Sequence, residues 1–291
     1  MYSKLNVRYS FYWKYTQNLK ESLLFPSKNQ KMLEKRQKVL KYQTDIENYE
    51  SGKPDFPIGL TDWLVDEFGV NEESTILDLG AGTGKLYPRI NAAHPQKVMA
   101  VDSSEAMLKV LQKKYPAVES HLGSATQIPL PDESVDLILC GNSFHWFANA
   151  KALKEMHRVL KPKGALGLVW NVRDKSVSWV NKINELLDKY RSGSPYFGTW
   201  EWAQLFPGHG FQKFRTCVFP FSYCTTPENS IHRMVFSLSY MHALPEQEKA
   251  VVRAELDKIA ETVPRVQNTD QIKFPYHTMA FSIEKEALEK K

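Results

Sequence analysis

Ser74–Leu86 reads STILDLGAGTGKL. Ile76, Leu77 and Leu79 form a short apolar run, the pattern of a parallel strand buried on both faces. Asp78 stands at the strand's end, and Gly80, Gly82 and Gly84 follow at alternate positions before a helical pattern from Lys85. Glycines there let the chain turn tightly and let a ligand lie against bare main chain. The expected unit is strand, glycine loop, helix, with a ligand at the strand's carboxyl end.

The spacing narrows the ligand. A dinucleotide fingerprint needs its third glycine where Lys85 stands, and a phosphate loop needs Ser or Thr where Leu86 stands. Asp78 would repel a polyphosphate. It suits a ligand with positive charge, such as the ammonium and sulfonium of S-adenosyl-L-methionine. Taken alone, the triplet also fits an ordinary tight turn.

The 291 residues suffice for one large α/β domain with an insertion, or for two domains. Hydrophobic residues at 42% and charged residues at 24% are those of a soluble globular chain, and no apolar run approaches the ~20 residues of a membrane span. Cys140, Cys217 and Cys224 show no paired metal-ligand spacing, so no metal is expected, and so low a count suits a reducing compartment. The net charge of +5 sits within residues 1–50, which hold ten Lys/Arg against five Asp/Glu. The remainder balances, which argues against a nucleic-acid footprint around the site. Residues 1–41 read as an amino-terminal extension, aromatic and basic early on, loosely packed or disordered. A cytoplasmic chain is expected, with a mitochondrial presequence left open by the shortage of acids in residues 1–30.

Along the chain, Gln30–Glu50 reads as helical, residues 49–57 as a turn-rich break, and Ile58–Phe68 as a helix capped by Gly69. Lys97–Val101 is a second strand ending in Asp102, about 20 residues past the glycines, where an acid grips ribose hydroxyls. Ser103 or Ser104 can instead cap the helix Ala106–Tyr115. Ala117–Leu122, Val135–Cys140 and Ala165–Trp170 are further strands, with a helix over Ala148–Leu160 and a turn over Lys161–Gly164. Ser176–Tyr190 is helical, Trp200–Phe211 an aromatic helix and turn, and Phe214–Tyr223 a strand. Glu228–Met241 and Glu246–Val263 are two helices, and Tyr276–Ile283 is the last strand.

LDLGAGTGKL, VDSSEAML, FHWF and RVLKPKGALGLVWN together resemble a class I S-adenosylmethionine-dependent methyltransferase with a type 11 domain, in its small-molecule, trans-aconitate-like branch. The resemblance is close over residues 49–174. It implies a Rossmann-like, doubly wound seven-stranded sheet, mostly parallel with one antiparallel strand, plus inserted roof helices. The methyltransferase domain would cover 42–291, with a cofactor core at 60–174 and roof helices and closing strands at 175–291. The resemblance also implies S-adenosyl-L-methionine as methyl donor, S-adenosyl-L-homocysteine as product, and a monomer or homodimer. It sets the cofactor against Asp78, Gly80, Ala81, Gly82, Gly84, Asp102, Ser103, Met107, Ser124, Ala125, Thr126, Cys140, Gly141 and Asn142. Ser124 stands where the family usually has an acid for the adenine amino group, so that contact would be uncharged and weaker.

Methyl transfer is an in-line displacement, and a base is needed only if the acceptor carries a proton. His145 is the candidate base, or a hydrogen-bond donor shaping the pocket. Trp146 and Phe147 wall the adenine or the sulfonium, or merely pack. Arg173 holds an acidic substrate or pairs with Asp174, and Asn171 binds substrate or caps the next helix. Any of His232, Arg233, Tyr240 and His242 on the roof helix can face the pocket. The leading function is methylation of a small molecule, a carboxylate or an oxygen nucleophile. Methylation of RNA or protein, and a non-catalytic cofactor-binding role, are the alternatives. Gly141-Asn142-Ser143 replaces the Pro-Pro-aromatic tetrapeptide of amino-directed nucleic-acid enzymes, which counts against the first of these.

Overall fold

The computed structural model describes residues 45–191 and 193–286. Expectations for residues 1–41, and for most of the helix over Gln30–Glu50, lie outside them. Seven strands form one sheet: β1 (Thr75–Leu79), β2 (Lys97–Asp102), β3 (Glu119–Leu122), β4 (Val135–Gly141), β5 (Leu160–Arg173), β6 (Phe211–Thr225) and β7 (Ile272–Lys285). Their order is β3-β2-β1-β4-β5-β7-β6. Strands β1 to β5 pair in parallel, and β7 runs antiparallel to both its neighbours. This is the doubly wound sheet with one antiparallel strand that the motifs imply.

Alternation along each strand divides the core. Leu77, Leu79, Ile138, Leu166, Leu168 and Phe281 face one layer, which includes the helix Ala150–Val159 and the aromatic segment after Phe197. Ile76, Leu137, Leu139, Val169 and Ala280 face the other, against Leu60, Trp63 and Leu64 of the helix Gly59–Phe68. A third cluster joins the helices Ser178–Tyr190 and Glu246–Glu261 to Ile272, Phe274 and Tyr276 of β7. The described helices are α1 (Ile46–Gly52), α2 (Gly59–Phe68), α3 (Tyr87–Asn91), α4 (Glu105–Lys114), α5 (Phe144–Phe147), α6 (Ala150–Val159), α7 (Ser178–Tyr190), α8 (Met234–Phe236), α9 (Ser239–His242) and α10 (Glu246–Glu261). None is long and apolar enough to cross a membrane.

Several element boundaries differ from the sequence expectations. Helix α1 starts after Asp45, which caps it by accepting from the Asn48 N–H at 3.0 Å, and runs on to Gly52; the break begins only at Lys53-Pro54. The helix after the glycine loop starts at Tyr87, not Lys85, with Pro88 in its first turn, the one helical place where the missing N–H costs nothing. The helix expected over Ala148–Leu160 is found at Ala150–Val159, capped where Asn149 accepts from the Ala152 N–H, and a separate short helix, Phe144–Phe147, precedes it. Strand β5 begins at Leu160 and runs through the expected turn by a local irregularity, with Lys163 at φ +70°.

The aromatic segment forms no helix from Trp200. It makes two single 3₁₀ turns, Phe197–Thr199 and Ala203–Leu205, because Trp200 and Trp202 are pulled into the core beside Trp170 and Phe281. Glu228–Met241 is not one helix either. A π-turn over Glu228–Arg233 leads into α8, and the chain breaks before α9. At the break Ser237 Oγ donates to the Met234 carbonyl at 2.7 Å, a local bond that competes with helix continuation.

Candidate functional site

A cavity of about 850 Å³ opens at the carboxyl ends of β1, β2, β4 and β5. Its floor is the glycine loop. Gly80 sits at φ +71°, and its N–H donates to the Val101 carbonyl at 2.7 Å, pinning the loop to the end of β2. A Cβ at Gly80 would come within 2.7 Å of the Ser143 Cβ, and Ser143 Oγ itself donates to the Leu79 carbonyl at 2.9 Å. Only bare main chain fits there. Gly82 faces the cavity and the Tyr49 hydroxyl. Gly84 faces the other way, against Tyr115 and Leu111, and Ala81 is buried among Ala100, Leu108 and Leu111.

Asp102 enters the cavity from the end of β2. Its carboxylate accepts from the Gly82 N–H and the Ser104 N–H, each at 2.8 Å. Ser104 Oγ in turn caps α4 at the Met107 N–H, so the acid and the cap are separate residues. A carboxylate has about four acceptor sites, which leaves Asp102 room for ribose hydroxyls. Ser103 and Met107 stand beside it in the wall. Ser124 and Ala125 line the far end, with Ser124 Oγ 3.1 Å from Thr126 Oγ1, which lies outside the lining.

Asp78 lies beneath the loop, buried, and its Oδ1 has no hydrogen-bond partner among the described residues. Burial, and then the charge of Asp102, push its carboxyl up to about 8. Cys140 is fully buried next to it, and burial raises its thiol. An orphaned carboxylate oxygen under a cradle of bare main chain, with a second carboxylate at its rim, fits a cationic nucleoside such as S-adenosylmethionine. It does not fit a polyphosphate.

Gly141, Asn142, His145 and Trp146 follow β4 along one wall. Asn142, at φ +52°, accepts on Oδ1 from the Asn171 N–H at 2.9 Å and so ties β4 to β5. Trp170 Nε1–H donates to His145 Nδ1 at 3.0 Å. Indole is a donor only, so Nδ1 is bare and the neutral ring carries its proton on Nε2. Burial, then the charge of Lys53, holds His145 down to about 3. The ring is therefore built to donate, not to take a proton. Trp146 is partly exposed at the cavity, and Phe147 lines it while packing edge-on against Phe144.

The opposite half of the cavity is basic. Arg173 does not pair with Asp174, which turns away to accept from the Ser176 N–H and Oγ. Arg173 Nε instead donates to the neutral Asn184 Oδ1 at 3.0 Å, and Nη1 approaches Met234 Sδ. Asn171 faces the cavity, but its amide is engaged elsewhere: Oδ1 accepts from Thr278 Oγ1 at 2.6 Å and Nδ2 reaches the Asp55 carbonyl at 3.3 Å. Of the four roof residues singled out, only Tyr240 lines the cavity. His232 points to Asp257, Arg233 pairs with Glu47, and His242 lies towards Asp45.

Tyr49, Lys53, Arg191 and Tyr276 also line the cavity and escaped the sequence reading. Tyr276 shares a strand face with Phe274 and Thr278, so alternation was a usable signal. Nothing local distinguishes Lys53 or Arg191 from other basic residues. Among the described lining residues Asp102 is the only carboxylate, whereas Lys53, Arg173, Lys175 and Arg191 carry positive charge.

A methyltransferase-domain family model matches residues 77–168. An uncharacterized methyltransferase-like protein of Schizosaccharomyces pombe is 58% identical over 245 residues, spanning 84% of this chain and 95% of that protein. An uncharacterized methyltransferase of Mycobacterium tuberculosis is 33% identical over 245 residues, spanning 84% and 96%. Among solved structures, one described as a type II methyltransferase from Anaeromyxobacter dehalogenans superposes with a TM-score of 0.55 at 19% identity, covering 80% of this chain and 97% of that one. The YcgJ protein of Bacillus subtilis gives 0.50 at 21% identity, covering 78% and 98%. At such identities these two likenesses speak for the fold.

Proposed function

The chain belongs to the class I S-adenosylmethionine-dependent methyltransferases, with a type 11 methyltransferase domain, and from that premise we propose that its acceptor is a small anionic molecule methylated on a carboxylate oxygen. The observation that carries this reading is the Arg173 guanidinium: it lines the cavity, and its recorded partners are the neutral Asn184 and Met234. A half-buried cation with neutral partners calls for an anion, and a guanidinium matches a carboxylate by two parallel hydrogen bonds. The roof of α8 and α9 favours a small acceptor over a polymer. At about 850 Å³ the cavity lies at the upper end of the roughly 300–1,000 Å³ range of small-molecule sites, room for donor and acceptor together.

In this reading Asp102 takes the ribose hydroxyls, Ser124 and Ala125 the adenine edge, and the Gly80–Gly82 main chain and Asp78 the cationic amino-acid end. S-adenosylmethionine, when bound, supplies a methyl group already activated by positive sulfur. A carboxylate acceptor has no proton to lose, which suits a wall in which His145 offers Nε2–H and Tyr276 offers a buried hydroxyl with no partner among the described residues. Rate then comes from alignment and exclusion of water, which can supply about 7–11 kcal/mol.

The test is incubation with methyl-labelled S-adenosylmethionine and a panel of mono-, di- and tricarboxylic acids, with methyl esters identified by mass spectrometry. Ester formation is expected. Label appearing only in RNA or protein, or donor binding without transfer to any acid, would overturn the proposal.

A further inference from the structure

Lys53 follows α1 and lies in the basic half of the cavity. It makes no hydrogen bond or ion pair through its ammonium to a described residue. Its backbone is held on both sides. The Lys53 N–H donates to the Tyr49 carbonyl at 3.1 Å, and Asn171 Nδ2 reaches the next two carbonyls, Pro54 at 3.5 Å and Asp55 at 3.3 Å. On the preceding residue, a Cβ at Gly52 would meet the Met234 nitrogen at 2.3 Å, so α1 and the roof are in backbone contact. Lys53 is thus a lysine placed by the fold, not a surface chain that happens to reach inward.

The charged and titratable groups acting on it are Arg173 from β5 and Lys85 from the glycine loop, with His145 across the wall. Asp102, the one carboxylate of the described lining, belongs to the cofactor end. Two cations face one enclosed space with nothing recorded between them to neutralise them, an arrangement that a bound anion relieves.

We propose that Lys53 is, with Arg173, the second acceptor-anchoring residue of the site, the two cations holding one anionic group of the acceptor. This rests on the anionic-acceptor reading above and names a residue for it. Burial first, then Arg173 and Lys85, hold the Lys53 ammonium down to about 7. An anion arriving beside it restores the charged form, so acceptor binding takes up a proton and weakens as the pH rises past 7.

Two measurements test this. In methyl transfer to the best acid of the panel, Lys53→Met raises the acceptor KM at least about tenfold, leaves kcat within about threefold, and leaves the donor KM unchanged. Lys53→Arg, which keeps its charge, restores the KM and removes its rise above neutral pH. An unchanged acceptor KM in Lys53→Met overturns the assignment. The second measurement needs no turnover and uses the wild-type chain. Pulse acetylation with acetic anhydride, read by peptide mass spectrometry in the S-adenosylhomocysteine complex, labels Lys53 at lower pH than an ordinary lysine of about 10.4. Sulfate suppresses that labelling more than chloride at equal ionic strength, and Arg173→Met abolishes the difference. Equal labelling in sulfate and chloride overturns the proposal. Protection by sulfate with no acid methylated would leave the anion site standing and remove the carboxylate-acceptor reading instead.

Discussion

Asp102 Oδ2 accepts a 2.8 Å hydrogen bond from the main-chain N–H of Gly82, so the acid at the end of β2 holds the glycine loop in place while it faces the cavity. The same carboxylate accepts from Ser104 N–H on its other oxygen. In the proposed function, cofactor affinity and loop geometry would therefore depend on one side chain.

Asp102→Ala should weaken S-adenosylhomocysteine binding at least tenfold, about 1.4 kcal/mol, measured by calorimetry. The variant should also melt earlier, because two backbone donors lose a charged acceptor. Unchanged affinity would remove Asp102 from the cofactor site.

His145→Gln should keep turnover within about tenfold of wild type, whereas loss of a general base costs about 10²–10⁴. The reason is the Trp170 bond: with Nδ1 already accepting and the ring held down to about 3, no imidazolium forms in the working range. The wild-type pH–rate profile should accordingly show no His145 inflection near 6.5. A loss of a thousandfold would reinstate the base.

Asp78 should make donor binding pH-dependent. With its carboxyl pushed up to about 8, the folded chain keeps a proton there that an unfolded chain releases near pH 4. The sign follows: this group's contribution to stability falls as pH rises from about 4 to about 8. A cationic donor favours the ionised form, so binding expels the proton. Affinity for S-adenosylmethionine should rise between about pH 6 and 8, by up to about tenfold per unit. Calorimetry in two buffers of different ionisation enthalpy should detect proton release in wild type and less of it in Asp78→Asn. Equal release in both would refute the role.

Gly80→Ala and Gly69→Ala should separate by function. Both glycines have left-handed backbone, at φ +71° and +66°, so each substitution carries roughly 1–2 kcal/mol of strain. At Gly69 the new methyl meets open space, whereas at Gly80 it meets Ser143 and the Phe147 ring. Thermal melts should show a further loss of about 1–3 kcal/mol for Gly80→Ala, together with lost cofactor binding. Normal cofactor affinity in Gly80→Ala would contradict the tight cradle.

Legibility from sequence followed the range of the forces. Asp78, Gly80, Gly82 and Asp102 were readable because their spacing relative to strands is set by local geometry, and the strands announce themselves by alternation. The Asn142–Asn171 bond and the use of the Asn171 amide on Thr278 and Asp55 were not, because they join segments more than 25 residues apart. The Trp170–His145 bond likewise decides which ring nitrogen of His145 is free, and no local pattern encodes it.

The amino-acid order alone settled a mostly parallel sheet with a glycine loop at the strand ends, since hydrophobic period and glycine spacing are properties of neighbouring residues. The tertiary structure alone decided which polar side chains meet in the basic half of the cavity. There a π-turn and a serine-broken helix rotate Tyr240 inward and His232 outward, and packing of α1 on the roof brings in Lys53. Those directions depend on contacts between distant segments, which fixed helical spacing does not contain.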